Sequence, residues 1–323
     1  MSFSVALPHE ALKAFGYGLE ALNKFGDEVN IDAKKEQLIL WTVNSSITGQ
    51  VVLRMSPKLF EKYTIRPSAD TGSTTTSCRL LLKTLLKVFK SNQHRSSSIK
   101  QCELKLNGGP ATSRTTGGLN GPEHRLYLKF MYENGMTKTN SLWYTDTDIS
   151  RPLFSKNLPY SFIIDPGVFF DCIALMDNRI QDLSFLFTPS RVIIKTFWDP
   201  SIGNNSNRPM QSQFKIPSHD FTYYNVNTEL VLTFSMKEFK TAVTYGIDTC
   251  DMLHAQFEEP GKPLIFTVEQ RGFVIADFAL MTFASNEGIT QSSGLTMNNN
   301  SITTENSSKN KNENFRQMCC FLL

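Results

Sequence analysis

The chain alternates between two hydrophobic periods. "PHEALKAFGYGLEALNKFG" places Leu12, Phe15, Leu19 and Leu22 at helical spacing, and Gly26 closes it. "EVNID" and "QLILWTV" switch to short β-type runs around a Lys-Lys-Glu turn, and "GQVVLRM" continues them. "SPKLFEKY" has a Ser N-cap and Pro at the first helical position, which predicts a short helical turn. "SCRLLLKTLLKVFK" predicts the second long helix, beginning near Arg79. "SSIKQCELKLN", "EHRLYLKFMYE" and "MTKTNSLWYT" predict three strands. After a Pro-broken polar stretch the order restarts. "DPGVFFDCIALMDN" predicts a helix, and "LSFLF" and "RVIIKTF" a hairpin. "SQFKIP" and "TELVLTF" predict strands and "SMKEFKTAVTYG" the last helix. "MLHAQFE", "PLIFTVE" and "GFVIADFALMTF" predict the closing strands.

Helix, strands, helix, strands therefore occurs twice. The predicted helices start near His9 and Arg79, then near Pro166 and Met236; 79 − 9 and 236 − 166 both give 70. A repeat of organisation at this spacing is the main architectural signal. It divides the chain into a first domain at 1–143, a linker at 144–158, a second domain at 159–283 and an Asn/Ser/Thr-rich tail at 284–323. The tail has too few large apolar side chains to offset its ordering entropy and is expected to be disordered. A Gly/Thr-rich loop near Pro110 and an Asn-rich insertion near Asn204 interrupt the body.

Composition narrows the function classes. With 40% apolar residues in 323 the chain can bury a substantial core, and a net charge of +3 announces no polyanion by itself. Six cysteines without a C-x-x-C spacing point to free thiols in a reducing compartment. No secretory signal or membrane span is read, and none of the five histidines sits at metal-ligand spacing. Nucleophile-elbow and dinucleotide-binding motifs are missing too, so no catalytic residue, metal or cofactor is expected.

Charge is informative locally. Between Arg79 and Lys105 there are seven Lys/Arg against one acid. Arg79, Lys83, Lys87 and Lys90 fall at i, i+4, i+8 and i+11, one stripe of the predicted helix. A solvated face ordinarily mixes signs, so the stripe points to a polyanion contacted through phosphates without regard to sequence. Lys13, Lys237 and Lys240 extend the theme on two other helices.

The order of elements, with "TVNSS" after "LILW", "RLLLKTLLKVF", "GMTKTNSL", and "LTFSMKEFKTAV" running on to "FEEPGKPLIFTV", resembles the PCNA-type DNA sliding clamps over residues 1–283. Within them it resembles the Rad nine subunit of the nine-one-one checkpoint clamp. The resemblance implies an α+β, two-domain clamp with antiparallel sheets outside and helices lining a central hole. It implies a nuclear, non-catalytic subunit of a heterotrimeric ring acting in the DNA damage checkpoint and DNA repair. The alternatives are a replicative homotrimeric clamp and a two-domain β-rich enzyme or ligand-binding protein.

By that likeness Lys13, Arg79, Lys83, Lys87, Lys237 and Lys240 would face double-stranded DNA or primer-template junctions. The implied partners are the two other clamp subunits, a clamp loader, a BRCT-repeat scaffold and repair enzymes, with no membrane. Val43, Ile47, Pro263 and Leu280 would wall a partner pocket beside "EEPGKPLIF", whose Pro260-Gly261 suits a type II turn. The helix at Pro166 has no basic residue before Arg179, so the implied lining is uneven. The tail has no Ser-Pro or Thr-Pro and a single Thr-Gln, at Thr290, the candidate phosphorylation site. The final Cys320-Phe321-Leu322-Leu323 matches a prenylation box without the accompanying polybasic segment, and a lipid tether is not expected.

Overall fold

The computed structural model describes residues 2–66, 76–93, 99–107, 124–145, 154–197 and 209–283. The Gly/Thr-rich loop, the Asn-rich insertion and the polar tail with Thr290 lie outside the described residues. Residues 1–283 form one compact unit.

In the first half, strand β1 (Ser2–Pro8) runs directly into helix α1 (His9–Phe25). Strands β2 (Glu28–Lys34), β3 (Gln37–Val43), β4 (Gly49–Met55), β5 (Lys62–Arg66) and β6 (Thr76–Leu81) follow. Helix α2 (Leu82–Gln93) then leads to β7 (Ile99–Asn107), β8 (Arg125–Tyr132) and β9 (Thr137–Trp143). The second half opens with β10 (Tyr160–Ile164) and α3 (Pro166–Ala174). Then come β11 (Asp182–Thr188), β12 (Arg191–Phe197), β13 (Gln213–Pro217), β14 (Tyr223–Asn225) and β15 (Leu230–Ser235). Helix α4 (Met236–Thr249) precedes β16 (Leu253–Phe257), β17 (Pro263–Gln270) and β18 (Val274–Met281).

Every helix is thus launched by a strand. The sequence reading began the second helix at Arg79; the structure keeps that residue in β6. Thr76, Cys78 and Leu80 alternate inward and pair with β2, so the period is two up to Leu81 and becomes helical only at Leu82. The helix starts are consequently 73 residues apart in the first half (82 − 9) and 70 in the second (236 − 166). Besides β6, four strands are not read from the sequence: β1, β5, β10 and β14. Two are only three to five residues long at sheet edges, and two merge into the helix that follows them.

All strand pairing is antiparallel among the described ladders. A five-stranded sheet runs β5-β1-β7-β8-β9 and a four-stranded sheet β13-β12-β11-β15. The third, nine-stranded sheet runs β14-β10-β16-β17-β18-β4-β3-β2-β6 and crosses from one half to the other where β18 pairs with β4. Alternation decides which face is buried: in β8, Leu126, Leu128, Phe130 and Tyr132 point inward and their neighbours outward.

One continuous apolar core lies between the helices and the sheets. In the first half Phe15 meets Phe89 at 5.2 Å between ring centroids, and Phe89 meets Phe130 at 5.9 Å. In the second half Phe162, Phe169, Phe185, Phe187, Phe239 and Phe257 interlock, with Phe187 and Phe257 stacked at 4.4 Å. Each such ring, removed from water, contributes about 2–3 kcal/mol. Phe25 on Phe278 joins the two halves. Helix α1 touches α2 on one side and α4 on the other, and α4 touches α3, so the four helices stand in the row α2-α1-α4-α3. Gly18 lets α1 sit close to the sheet: a Cβ there would lie 2.6 Å from Leu53 Cδ1.

Candidate nucleic-acid interface and docking face

The helix row presents its outward side chains on the face away from the core. On α1, Glu10, Lys13, Tyr17, Glu20 and Lys24 recur at three- and four-residue intervals and leave the apolar positions inside. On α2 the outward positions include Lys83, Lys87 and Lys90, opposite buried Leu82, Leu85 and Phe89. On α4 they are Lys237 and Lys240, opposite Phe239, Ala242 and Val243. The row brings Lys13, Lys83, Lys87, Lys237 and Lys240 onto three adjacent helices. Helix α3 offers Phe170, Asp171, Ala174 and Leu175 instead.

Arg79 does not join them. Cys78 and Leu80 face the helices, so Arg79 points to the opposite side of the sheet. There its guanidinium donates to Asn30 (Nε to Oδ1, 3.4 Å) and lies 3.6 Å from Glu28. Nor are the lysines stacked without partners, as the single-helix pattern implied. Lys83 meets Asp27 at 3.1 Å and Lys90 meets Glu20 at 2.9 Å. These acids belong to α1 and the corner after it, which no α2 periodicity can display. Exposed pairs of this type contribute roughly 0–1 kcal/mol. A phosphate can displace them at small cost.

On the other side of the nine-stranded sheet lies a second surface. The β3–β4 turn is held by one side chain: Asn44 Oδ1 accepts from the backbone N–H of Thr48 (2.9 Å) and Gly49 (3.0 Å). Asn44 Nδ2 donates to Thr48 Oγ1 (3.0 Å) and to Glu238 Oε1 of α4 (3.1 Å). Glu238 is buried and also accepts from Ser235 Oγ. Burial, with Glu238 adding its negative charge, pushes the nearby Asp182 carboxyl up to about 6.

The turn is linked to the Pro260 corner. Met281 donates its N–H to Thr48 O (2.8 Å), and Thr282 Oγ1 accepts from Gly261 N (2.9 Å) while donating to Lys262 O (2.7 Å). At the corner Lys262 N reaches Glu259 O (3.2 Å) with Gly261 at φ +84°, the type II geometry that Pro-Gly predicts.

Ile47 projects from the turn, 75% exposed, and Val43 and Pro263 are half-buried nearby. Leu280 belongs elsewhere. It is 1% exposed and points into the core, because inward and outward residues alternate along β18 and Phe278 and Leu280 fall on the helix side. Farther along the face, Asp277 Oδ1 accepts from Lys156 Nζ (2.6 Å) and Thr267 Oγ1 (2.8 Å), and Oδ2 accepts from Arg54. Burial raises the Asp277 carboxyl, but the hydrogen bonds from Lys156 and Arg54 and their charges outweigh it and hold the group below its ordinary value. Lys156 thereby fastens the segment before β10 to a shared sheet. Among the described residues no group of three His, Cys, Asp or Glu side chains could hold a metal ion.

Sequence reasoning missed the acids that partner the lysines, the Asn44 anchor and the Asp277 cluster. Asn44 alone carried a signal, since Asn-Ser-Ser between two β runs marks a side-chain-stabilised turn.

The Rad9 family model matches residues 15–283. The DNA repair protein rad9 of Schizosaccharomyces octosporus is 26% identical over 291 residues, covering 84% of this chain and 67% of that one. The rad9 of Schizosaccharomyces pombe is 24% identical, covering 82% and 67%. The cell cycle checkpoint control protein Rad9 of Drosophila melanogaster is 21% identical, covering 79% and 51%. The chain thus spans about two thirds of the two Schizosaccharomyces relatives and about half of the fly protein.

Among solved structures, PCNA from Thermococcus kodakaraensis superposes with a TM-score of 0.65 at 16% identity, covering 87% of this chain and 99% of that one. A. fulgidus PCNA bound to the C-terminal region of FEN-1 gives 0.60 at 16%, covering 87% and 98%. The fold is that of the PCNA sliding clamps. With the family model covering nearly all of the compact unit, the chain belongs to the Rad9 family.

Proposed function

We propose that this chain is a non-catalytic subunit of a heterotrimeric checkpoint clamp that encircles DNA in the nucleus. Of the described features, the row of four helices backed by sheets carries this reading, because it sets Lys13, Lys83, Lys87, Lys237 and Lys240 outward on adjacent helices. Contacts from such a row reach phosphates and carry no sequence preference, which suits a ring that slides. Arg79 is left out of the DNA-facing set by its place on the far side of the sheet. The domain division at 1–143, 144–158 and 159–283, followed by the polar tail at 284–323, goes with this reading.

Two sheet edges support assembly with neighbouring subunits. β9 ends the five-stranded sheet and β13 the four-stranded one. Each offers a row of main-chain donors and acceptors to another strand. Two different edges on one chain suit head-to-tail closure into a ring. The relatives' names, DNA repair protein and cell cycle checkpoint protein, favour the checkpoint role over replication. The surface of Val43, Ile47 and Pro263 is the proposed docking face for repair enzymes. A FEN-1 C-terminal region is what one matched PCNA holds. A clamp loader and a BRCT-repeat scaffold complete the partners.

The test is reconstitution of the ring with its two companion subunits on circular DNA. A chain with Lys83, Lys87, Lys237 and Lys240 each changed to Glu should still assemble. Its ring should be lost from DNA at a salt concentration that leaves the wild-type ring bound, while Arg79→Glu leaves retention unchanged. If the fourfold variant assembles and is retained equally at moderate salt, the helix row is not the DNA surface. If the chain purifies with neither companion, the ring reading falls.

A further inference from the structure

The outer face of the five-stranded sheet gathers cations that the helix row does not use. On β8, Leu126, Leu128 and Phe130 enter the core, so Arg125, Tyr127 and Lys129 face outward. Register carries that face across the sheet. Lys105 of β7 lies opposite Tyr127, Glu103 opposite Lys129, and Trp143 of β9 opposite Arg125. On β1, Phe3, Val5 and Leu7 enter the core, and the outward Ser2 and Ala6 lie opposite Arg66 and Lys62 of β5. Among the paired outward positions, Lys62, Arg66, Lys105, Arg125 and Lys129 thus meet one acid, Glu103. The basic run that begins at Arg79 in the sequence therefore ends on a sheet face, at Lys105, and not on a helix.

This face differs from the helix row in how its charges are met. On α2, Lys83 and Lys90 each have an acid within 4 Å. Among the described residues, Lys62, Arg66, Lys105 and Lys129 form no ion pair. Glu103 stands directly across from Lys129 but accepts instead from Ser4 Oγ (2.8 Å). Lys105 and Lys129 are diagonal neighbours, about 7 Å apart by strand geometry, so their charges repel. At the end of the same face Arg125 lies over the Trp143 ring, 4.2 Å from its centroid, and donates from Nη1 to Ser141 Oγ (3.1 Å). Trp143 is 65% exposed even so, and most of the indole stays open.

We propose that the outer face of the five-stranded sheet binds single-stranded DNA, with Lys62, Arg66, Lys105 and Lys129 on phosphates and an unstacked base on Trp143. Cations spread over a flat sheet follow a phosphate chain, and an exposed indole adds stacking that any base satisfies. A duplex keeps its bases stacked inside and would use the cations alone. The chain's own tail is a poor occupant, because its three acids are matched by three bases: Glu287, Glu305 and Glu313 against Lys309, Lys311 and Arg316. Pairing of the β9 edge with a neighbouring subunit would use main-chain groups and leave the outward side chains on the surface. The site is separate from the helix row, so the ring reading stands whether or not this face binds.

Fluorescence anisotropy of a labelled oligothymidylate, with the full chain alone and in the assembled ring, tests it. Changing Lys62, Arg66, Lys105 and Lys129 together to Gln should weaken binding at least about tenfold and flatten the slope of log affinity against log salt by about 3, at about 0.7 per phosphate contact. Trp143→Ala should weaken binding about tenfold and Trp143→Phe much less, since a phenyl ring still stacks. Thermal unfolding should show both variants folded, as the side chains are on the surface. The same changes should leave retention of the ring on duplex DNA unaltered. An equal or larger loss when Lys83, Lys87, Lys237 and Lys240 are changed to Gln would overturn the proposal, because the helix row would then be the binding surface. So would binding by the chain alone that vanishes in the ring, which would make the face a subunit contact. Polyglutamate binding as tightly as the oligonucleotide, with Trp143→Ala without effect, would overturn it in favour of an acidic protein partner.

Discussion

Two sets of ion pairs, one on either side of the nine-stranded sheet, handle charge in opposite ways. On the helix side, ionic groups sit at the ends of long side chains in water: Lys83 and Asp27 each have 79% of their side chain exposed, and Lys90 and Glu20 are about half exposed. On the outer side, Asp277 has 6% of its side chain exposed beneath Arg54 and Lys156. Solvent screens the first set, so each pair is weak and exchangeable. The second set is desolvated, so removing one member leaves the others without compensation. A surface that must slide on phosphates suits the former; a surface that fixes the segment entering β10 suits the latter.

The sharpest way to break the contrast is Asp277→Ala. It strands Arg54 and Lys156 against a buried site and should destabilise the chain by about 3 kcal/mol in urea unfolding. A change below about 1 kcal/mol would show that the outer cluster is as loosely coupled as the helix face.

Next comes Asp182, near the Glu238 and Asn44 link between α4 and the β3–β4 turn. Its folded pKa lies above the ordinary carboxylate value, so the folded state holds the extra proton. This group's contribution therefore favours folding below about pH 4 and is lost as pH rises through about 6. Asp182→Asn should raise stability at pH 7 by about 1 kcal/mol, discounted for a half-exposed group, and flatten the slope between pH 4 and 6.5. Unfolding followed across that range is the check, and an unaltered slope would disprove the assignment.

The smallest effect belongs to the helix face. Glu20→Gln frees Lys90 and should change stability by less than about 0.5 kcal/mol, while modestly strengthening DNA retention of the assembled ring at low salt. A large loss of stability would mean that the exposed pairs are structural.

Much of this was legible in the chain. The α1 spacing of Leu12, Phe15, Leu19 and Leu22 is a local property, and all four are buried. The Pro260-Gly261 corner is equally local, since proline fixes its own φ and glycine tolerates the positive φ of +84° whatever surrounds them. The boundary at Arg79 was not legible. "SCRLLLK" satisfies both periods, and pairing with β2, together with the Arg79–Thr145 bridge, holds it extended to Leu81. Leu280 misled for a related reason: alternation is visible in "FALM", but not which of the two sets faces the helices.

The sequence by itself determined the repeated order of elements, the helix faces and the turn chemistry, because these depend on near neighbours along the chain. The tertiary structure alone decided which acids meet Lys83 and Lys90, that Arg79 lies away from the helices, and that Gln50 is buried without a partner. Those outcomes depend on residues far apart in sequence. The Asn44 carboxamide and the Glu238 carboxylate are separated by 194 residues and meet at 3.1 Å only after both halves have closed on one core.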